Sequence, residues 1–394
     1  MKSRFRSFAK HLCGVLFCAM AIATAHAQPE YDIDVFVRGL AKPIPISLAG
    51  YSGEVLQVLK FDLEVAGFKI IGESDAQYIL TGSNNDQVEG KLVDNINKTT
   101  KFAKAFTGGS MRTRAHALAD EVVLAVTGHP GIARTKIAFK VTRNQTSEIC
   151  VADYDGHNAT FVTADQSIVA APSWVPGRRI LYYTTYKFGN PDIVSHNLDT
   201  AERKIIARYG GSNISPAPSP DGRQVAMILS KSGSPDLFVA NADGSGLRQL
   251  TQTREDESSP CWSPDGRWIC FAGKTAEGRR FLAKVSPNGG PVQRISISDV
   301  INPSEPDWSP DGKWIAFTSQ MRDFNICIVP ASGGEARIVA SGEDPSWAPN
   351  SRTMIFTRRG TGGKRSLSLL DVPTKQSKDI PQNLGVCAQP SWSR

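Results

Sequence analysis

Apolar positions in this chain come in short bursts separated by turn residues. The stretch PCWSPDGRWICF, residues 260–271, shows the pattern. An apolar strand enters Pro-Asp-Gly, and a second apolar strand leaves it. Asp can bond the backbone two residues on and Gly accepts a positive φ, so the stretch predicts a tight hairpin. Six copies align on the leading prolines Pro172, Pro216, Pro260, Pro306, Pro345 and Pro390, spaced 44, 44, 46, 39 and 45 residues apart. That period belongs to propeller blades. Behind each turn lies an apolar strand such as Trp268–Phe271 or Trp314–Phe317. A third strand such as Ile326–Ile328 follows, and then a Gly-containing turn and a short edge strand such as Leu247–Thr251. Four antiparallel strands per unit make a blade.

The ends of the repeat set its closure. The sixth copy stops at Arg394 after its first strand, while Lys136–Val141 begins where a second strand belongs and residues 148–163 supply a third and fourth. The pattern predicts a six-bladed β-propeller over 132–394, closed by pairing of C-terminal and N-terminal strands. Such closure removes two exposed sheet edges.

Residues 28–131 lack the repeat. Ile33, Val35 and Val37 alternate along one face of a strand. A helix from Ser52 to about Ala66 places Val55, Leu56, Leu59 and Leu63 at helical spacing, with Gly67 as a stop. Strands are expected over 68–71, 78–81, 88–93 and 102–106, and a second helix over Ser110–Thr127, ending at Gly128. The chain is thus expected to be mainly β, an N-terminal α/β domain preceding the propeller.

Residues 1–27 read as a cleaved secretory signal. A basic start (Lys2, Arg4, Arg6, Lys10) precedes the apolar run Leu12–Ala23 and an A-x-A site, with cleavage between Ala27 and Gln28. The apolar run is well short of the ~20 residues a spanning helix needs, so no direct membrane insertion is expected. The leader also alters the charge: it holds four of the positive charges and no acid, so the net +7 falls to +3. A near-neutral chain gives no warrant for a nucleic-acid partner. Five cysteines remain, Cys150, Cys261, Cys270, Cys327 and Cys387. Cys261 and Cys270 flank one turn, but the repeat positions of Cys150 and Cys327 read as small core hydrophobes.

Gly108-Gly109-Ser110-Met111-Arg112 ends in Arg where a nucleophile elbow needs Gly, and Ser110 serves better as a helix N-cap. His116, His129, His157 and His196 show no zinc spacing. Asp153-Tyr-Asp155-Gly156 starts like a calcium loop, but Ala164 stands where the bidentate Glu belongs. No catalytic residue, metal or cofactor is assigned, and the repeated Asp-Gly pairs are structural. What differs between copies is the stretch before each leading proline: Gly211–Ser215, Glu255–Ser259, Asn302–Glu305 and Ser341–Asp344. In a propeller these loops ring the channel mouth, predicting a polar, fairly acidic rim.

The string RTKIAFKV (134–141), then VADYDGHN (151–158), then repeated P-x-W-S-P-D-G-[RK], resembles the TolB family, periplasmic components of the Tol-Pal system of Gram-negative envelopes. The resemblance covers residues 110–394 in order and spacing, and over 28–109 it rests on domain order and size. It implies a monomeric, non-enzymatic periplasmic scaffold supporting outer-membrane integrity and constriction at division. It places a Pal-like lipoprotein at Ser212, Asn213, Ser215, Glu257, Ser258, Asn302 and Glu305. A TolA-like inner-membrane protein falls on the segment Glu30–Arg38, through Ile33, Val35, Val37 and Arg38. The chain departs from the family pattern at Pro218, which replaces a Trp, and at Asn350-Ser351, which replaces a Pro-Asp-Gly continuation. Two other readings share the fold: a periplasmic propeller enzyme, lactonase- or peptidase-related, and a glycan-binding propeller.

Overall fold

The computed structural model of the protein describes residues 41–394 apart from 254. Six four-stranded antiparallel sheets form a β-propeller. Blades 1 to 6 begin with the inner strands Val169–Trp174, Asn213–Pro218, Asp256–Trp262, Pro303–Trp308, Glu343–Trp347 and Val386–Trp392. In blade 6 the last of these pairs with Lys136–Arg143, followed by Thr146–Asp153 and Thr160–Phe161. The register sets Cys387 against Val141, Ser391 against Ala138 and Trp392 against Ile137, so the ring closes as the truncated sixth copy predicts.

Each repeated residue has a packing or hydrogen-bonding task. Trp262 of blade 3 buries against Ala226, Ile228 and Val239 of blade 2, and its indole Nε1 donates to Ala217 O at 2.8 Å. The blades are thus joined by large apolar side chains, each worth about 1.5–3 kcal/mol of burial. In the turn, Ser263 Oγ donates to Asp265 Oδ1 at 2.6 Å, Arg267 N donates to the same oxygen at 3.1 Å, and Gly266 takes φ 68°. The Ser263 hydroxyl first, helped by the Arg267 amide and charge, lowers the Asp265 carboxyl to about 2. The same Ser–Asp pairing recurs at Ser219–Asp221 and Ser309–Asp311. The five cysteines are free and buried, and Cys261 faces Cys270 across the hairpin register.

The N-terminal layer contains β1 (Ile44–Ala49), α1 (Gly53–Val65), β2 (Phe68–Ile70), β3 (Tyr78–Ser83), β4 (Val88–Asp94), β5 (Thr99–Phe106) and α2 (Met111–Thr127). The sheet order is β2-β1-β3-β4-β5, with β1 parallel to both neighbours. Val55, Leu59 and Leu63 of α1 and Leu118 and Val122 of α2 bury against Leu80 and Leu92 of the sheet. Ser110 caps α2 by accepting from Thr113 N at 3.2 Å, and Gly128 ends it in the left-handed region. Ser52 holds the N-cap position of α1 without a side-chain cap bond; its amide donates to Asn84 Oδ1 at 2.9 Å. Sequence reading did not find β1, whose alternation is interrupted by Pro45. The strand expected over Ile33–Val37 lies outside the described residues.

Antiparallel connectivity places the turns after first and third strands at one end of the propeller. The α/β layer meets that end at blades 5 and 6: Ala41 N donates to Pro373 O at 3.2 Å, Lys378 Nζ contacts Glu64, and Tyr154 OH donates to Asp62 at 2.5 Å. The loops that enter the inner strands lie at the other end.

Candidate functional site

All six inner strands break register at the same place, immediately before the leading proline. The residue there takes positive φ in every blade: Ala171 (50°), Ser215 (54°), Ser259 (50°), Glu305 (53°), Asp344 (54°) and Gln389 (52°). A residue preceding proline is normally extended, and positive φ strains any residue with a Cβ. Six repetitions make this bulge part of the blade design. It turns six side chains toward the axis, where they and the prolines line a cavity of about 390 Å³. The backbone is common to all blades, and the side chains differ.

Half of this ring is linked from blade to blade. Asp344 N donates to Glu305 Oε2 at 3.1 Å, Gln389 N to Asp344 Oδ2 at 3.2 Å, and Ala171 N to Gln389 Oε1 at 3.1 Å. Each long polar side chain therefore accepts the amide that the next bulge removes from its ladder. Ala171, Ser215 and Ser259 are too short to do this, and Ser215 N instead donates to Thr184 Oγ1 at 3.2 Å. Burial first, then the charges of Glu305 and Glu343, push the Asp344 carboxyl up to about 7. Trp174, Trp262, Trp308 and Trp392 also line the cavity, together with Arg394. Arg394 donates to Trp308 O and Trp347 O at 3.3 Å and contacts the Asp307 carboxylate. The channel is a socket with a polar rim, acidic along blades 4 and 5.

Of the residues expected at the mouth, Ser215 and Glu305 lie in this ring. Ser212, Ser258 and Asn302 are half-buried beside it and do not line the cavity. Two expectations are corrected. Asn213 is 0% exposed; its amide donates to Pro191 O at 3.0 Å and Tyr209 O at 2.9 Å, which fixes the entering loop. Glu257 is 3% exposed and accepts from Leu237 N at 2.8 Å and from Thr251. Burial pushes its carboxyl up to about 7. Neither side chain is offered to a partner. Ser259 and Asp344 end two of the stretches expected at the mouth but were not among the expected contact residues, and Ala171 and Gln389 were missed, although the signal was simple: each directly precedes a leading proline. Ala27, Gln28, Ile33, Val35, Val37 and Arg38 lie outside the described residues.

A second polar cluster is buried where α1, α2 and blade 6 meet. His116 Nδ1 lies 2.7 Å from Asp62 Oδ2, and His116 Nε2 lies 3.5 Å from Asp155 Oδ2. Asp62, His116 and Asp155 are close enough together to hold a metal ion. The two carboxylates are already engaged, since Asp62 accepts from Tyr154 as well as His116 and the Arg112 guanidinium contacts Asp155, while His116 Nε2 makes no hydrogen bond among the described residues. The cluster reads as an ion network joining the α/β layer to the propeller.

A family model described as the TolB beta propeller domain matches residues 123–394. The Tol-Pal system protein TolB of Alcanivorax borkumensis is 33% identical over 176 residues, 41% of this chain and 40% of that protein. The protein of the same name from Nitrosomonas europaea is 30% identical over 220 residues, 48% of this chain and 52% of that one. The matches thus span about half the length of these curated relatives. The crystal structure of TolB from Acinetobacter baumannii superposes with a TM-score of 0.82 over 90% of this chain and 97% of that chain, at 20% identity. At that identity the likeness shows the fold.

Proposed function

This chain belongs to the TolB β-propeller family, and on that premise we propose that it is the TolB component of a Tol-Pal system. In this reading residues 1–27 direct export and are removed after Ala27, and residues 28–131 and 132–394 work in the periplasm as α/β domain and propeller. The mouth receives the soluble domain of a Pal-like outer-membrane lipoprotein. The segment Glu30–Arg38 engages a TolA-like inner-membrane protein by strand addition, its alternating Ile33, Val35 and Val37 facing a partner sheet. The protein is a scaffold that links the two membranes during constriction and performs no chemistry of its own.

The observation that carries the reading is the ring of six bulged residues. One strained backbone, repeated around a socket, presents a different side chain from each blade. That is a means of reading the shape and polarity of an inserted tip. The chemistry of the cysteines agrees with a scaffold: burial raises the Cys150 and Cys327 thiols to about 12, far from nucleophilic range.

Ser259 gives the cleanest test, because it lines the cavity and its hydroxyl has no hydrogen-bond partner among the described residues. Ser259→Arg should block the socket and weaken capture of the Pal-like domain in titration calorimetry by at least about tenfold. The melting temperature should stay near wild type; undiminished affinity counts against the socket. Deleting residues 28–38 should remove pull-down of the TolA-like partner and leave Pal-like binding intact, and retained pull-down places that contact elsewhere.

A further inference from the structure

The mouth end of the propeller is ringed by the hairpins that join second to third strands: Lys231, Arg279, Arg322 and Lys364 lie in the turns of blades 2 to 5, while Arg143 and Lys187 stand at the ends of the strands before the turns of blades 6 and 1, Lys187 paired with Asp165 at 3.1 Å. The acids in these turns are Glu277 and Asp323. The opposite end is built differently. There the repeated hairpin neutralises itself, with Arg223 after Asp221, Lys313 after Asp311, and Arg267 Nε 2.6 Å from Asp265.

Cations at the mouth are also set against one another. In blade 3 Lys274 and Arg280 stand directly opposite in the ladder, and in blade 5 Arg359 stands opposite Arg365. Like charges so placed destabilise a sheet. Glu343 relieves the blade 5 pair, lying 2.5 Å from Arg359 and 2.6 Å from Arg365. The blade 3 pair makes no ion pair among the described residues, although Asp256 stands across from Lys274 on its inner side. A cost left standing at an exposed rim points to a charge supplied from outside. Along the same arc, inside this crown, the channel ring is acidic at Glu305 and Asp344.

We propose that the basic arc over blades 3 to 5 binds the acidic flank of a protein whose protruding tip enters the channel. The proposal rests on the reading of the mouth given above and adds the chemistry of the partner: an acidic collar around a tip that donates hydrogen bonds to Glu305 and Asp344. A membrane surface would satisfy the cations but is flat on this scale, and it would leave a cavity of about 390 Å³ unfilled. Charge and shape together select a protein.

The test uses the mature protein, the soluble domain of the cognate Pal-like lipoprotein, and phosphatidylglycerol vesicles. Lys274→Glu/Arg280→Glu should weaken binding of the Pal-like domain about tenfold, mostly through a slower association rate. Wild-type affinity should fall by a similar factor between about 50 mM and about 500 mM salt. Arg267→Glu, at the far end, should leave affinity unchanged. Arg280→Glu alone places opposite charges across the ladder, so its melting temperature should equal or exceed wild type and separate binding loss from misfolding. Normal wild-type binding with an unaffected double variant overturns the crown and leaves the socket standing. No wild-type binding removes the assignment of the mouth and this partner with it. Vesicle binding that the double variant loses, with Pal-like binding intact, makes the arc a membrane surface and overturns the proposal.

Discussion

Removing residues 386–394 should abolish cooperative unfolding of the propeller. The strand Val386–Trp392 is the inner strand of blade 6, and without it Lys136–Arg143 becomes a bare sheet edge facing an open gap in the ring. The junction is made on both sides. Lys136 N donates to Ser393 Oγ at 3.0 Å and Ser393 N to Lys136 O at 2.9 Å, while Trp392 N donates to Ser346 Oγ of blade 5 at 3.1 Å. Trp392 itself is 2% exposed, stacks on Tyr154 at 6.1 Å, and donates from Nε1 to Thr135 Oγ1 at 2.8 Å. The milder change Trp392→Ala should cost about 3–5 kcal/mol, the range for emptying a buried aromatic site. Urea denaturation followed by tryptophan fluorescence and by circular dichroism measures it. A loss below about 1 kcal/mol would show that the ring does not depend on this closure.

The architecture was legible because it is repeated. A proline, a tryptophan and an Asp-Gly turn recurring near every forty-four residues announce blades, and the copy cut short at Arg394 announced how they close. The socket was less legible. The position that matters is read through whatever residue precedes each leading proline, and Ala171, Ser215, Ser259, Glu305, Asp344 and Gln389 share no side-chain chemistry. Local propensity also opposes positive φ before proline, so only the closed ring reveals that the bulge is common. Asn213 and Glu257 misled for a physical reason. A polar residue before a strand looks like surface, yet a loop that turns inward must satisfy its own amides, and these two side chains do so. Of the acids in the stretches before the leading prolines, Glu305 and Asp344 line the channel and Glu257 is buried. The ion network was hidden by distance along the chain: Asp62 sits among the apolar positions of α1, fifty-four residues from His116.

That network carries the second large effect. Asp62→Ala should destabilise the protein by about 3–5 kcal/mol, since removing one member of a buried charged pair strands the other. The carboxylate receives His116 Nδ1 at 2.7 Å and Tyr154 OH at 2.5 Å, and both would be left buried without it. Burial opposes the charged imidazole of His116, as does the Arg112 guanidinium. The hydrogen bond and charge of Asp62, with the charge of Asp155, outweigh them and raise its pKa. A histidine whose folded pKa is raised stabilises the protein fully below its unfolded value of about 6.5, and the contribution disappears as pH rises through the folded value. Burial likewise raises the Asp62 carboxyl, so it too releases protons from the native state as pH rises, with the same sign. Wild-type stability should therefore be greater near pH 6 than near pH 8.5. In Asp62→Ala the imidazole keeps its burial and loses its main partner, so this slope should become shallower, with Glu257 and Asp344, both raised to about 7, supplying what remains. Urea midpoints of both proteins across that interval test the linkage. Parallel profiles would mean that the proton is held elsewhere than in this network.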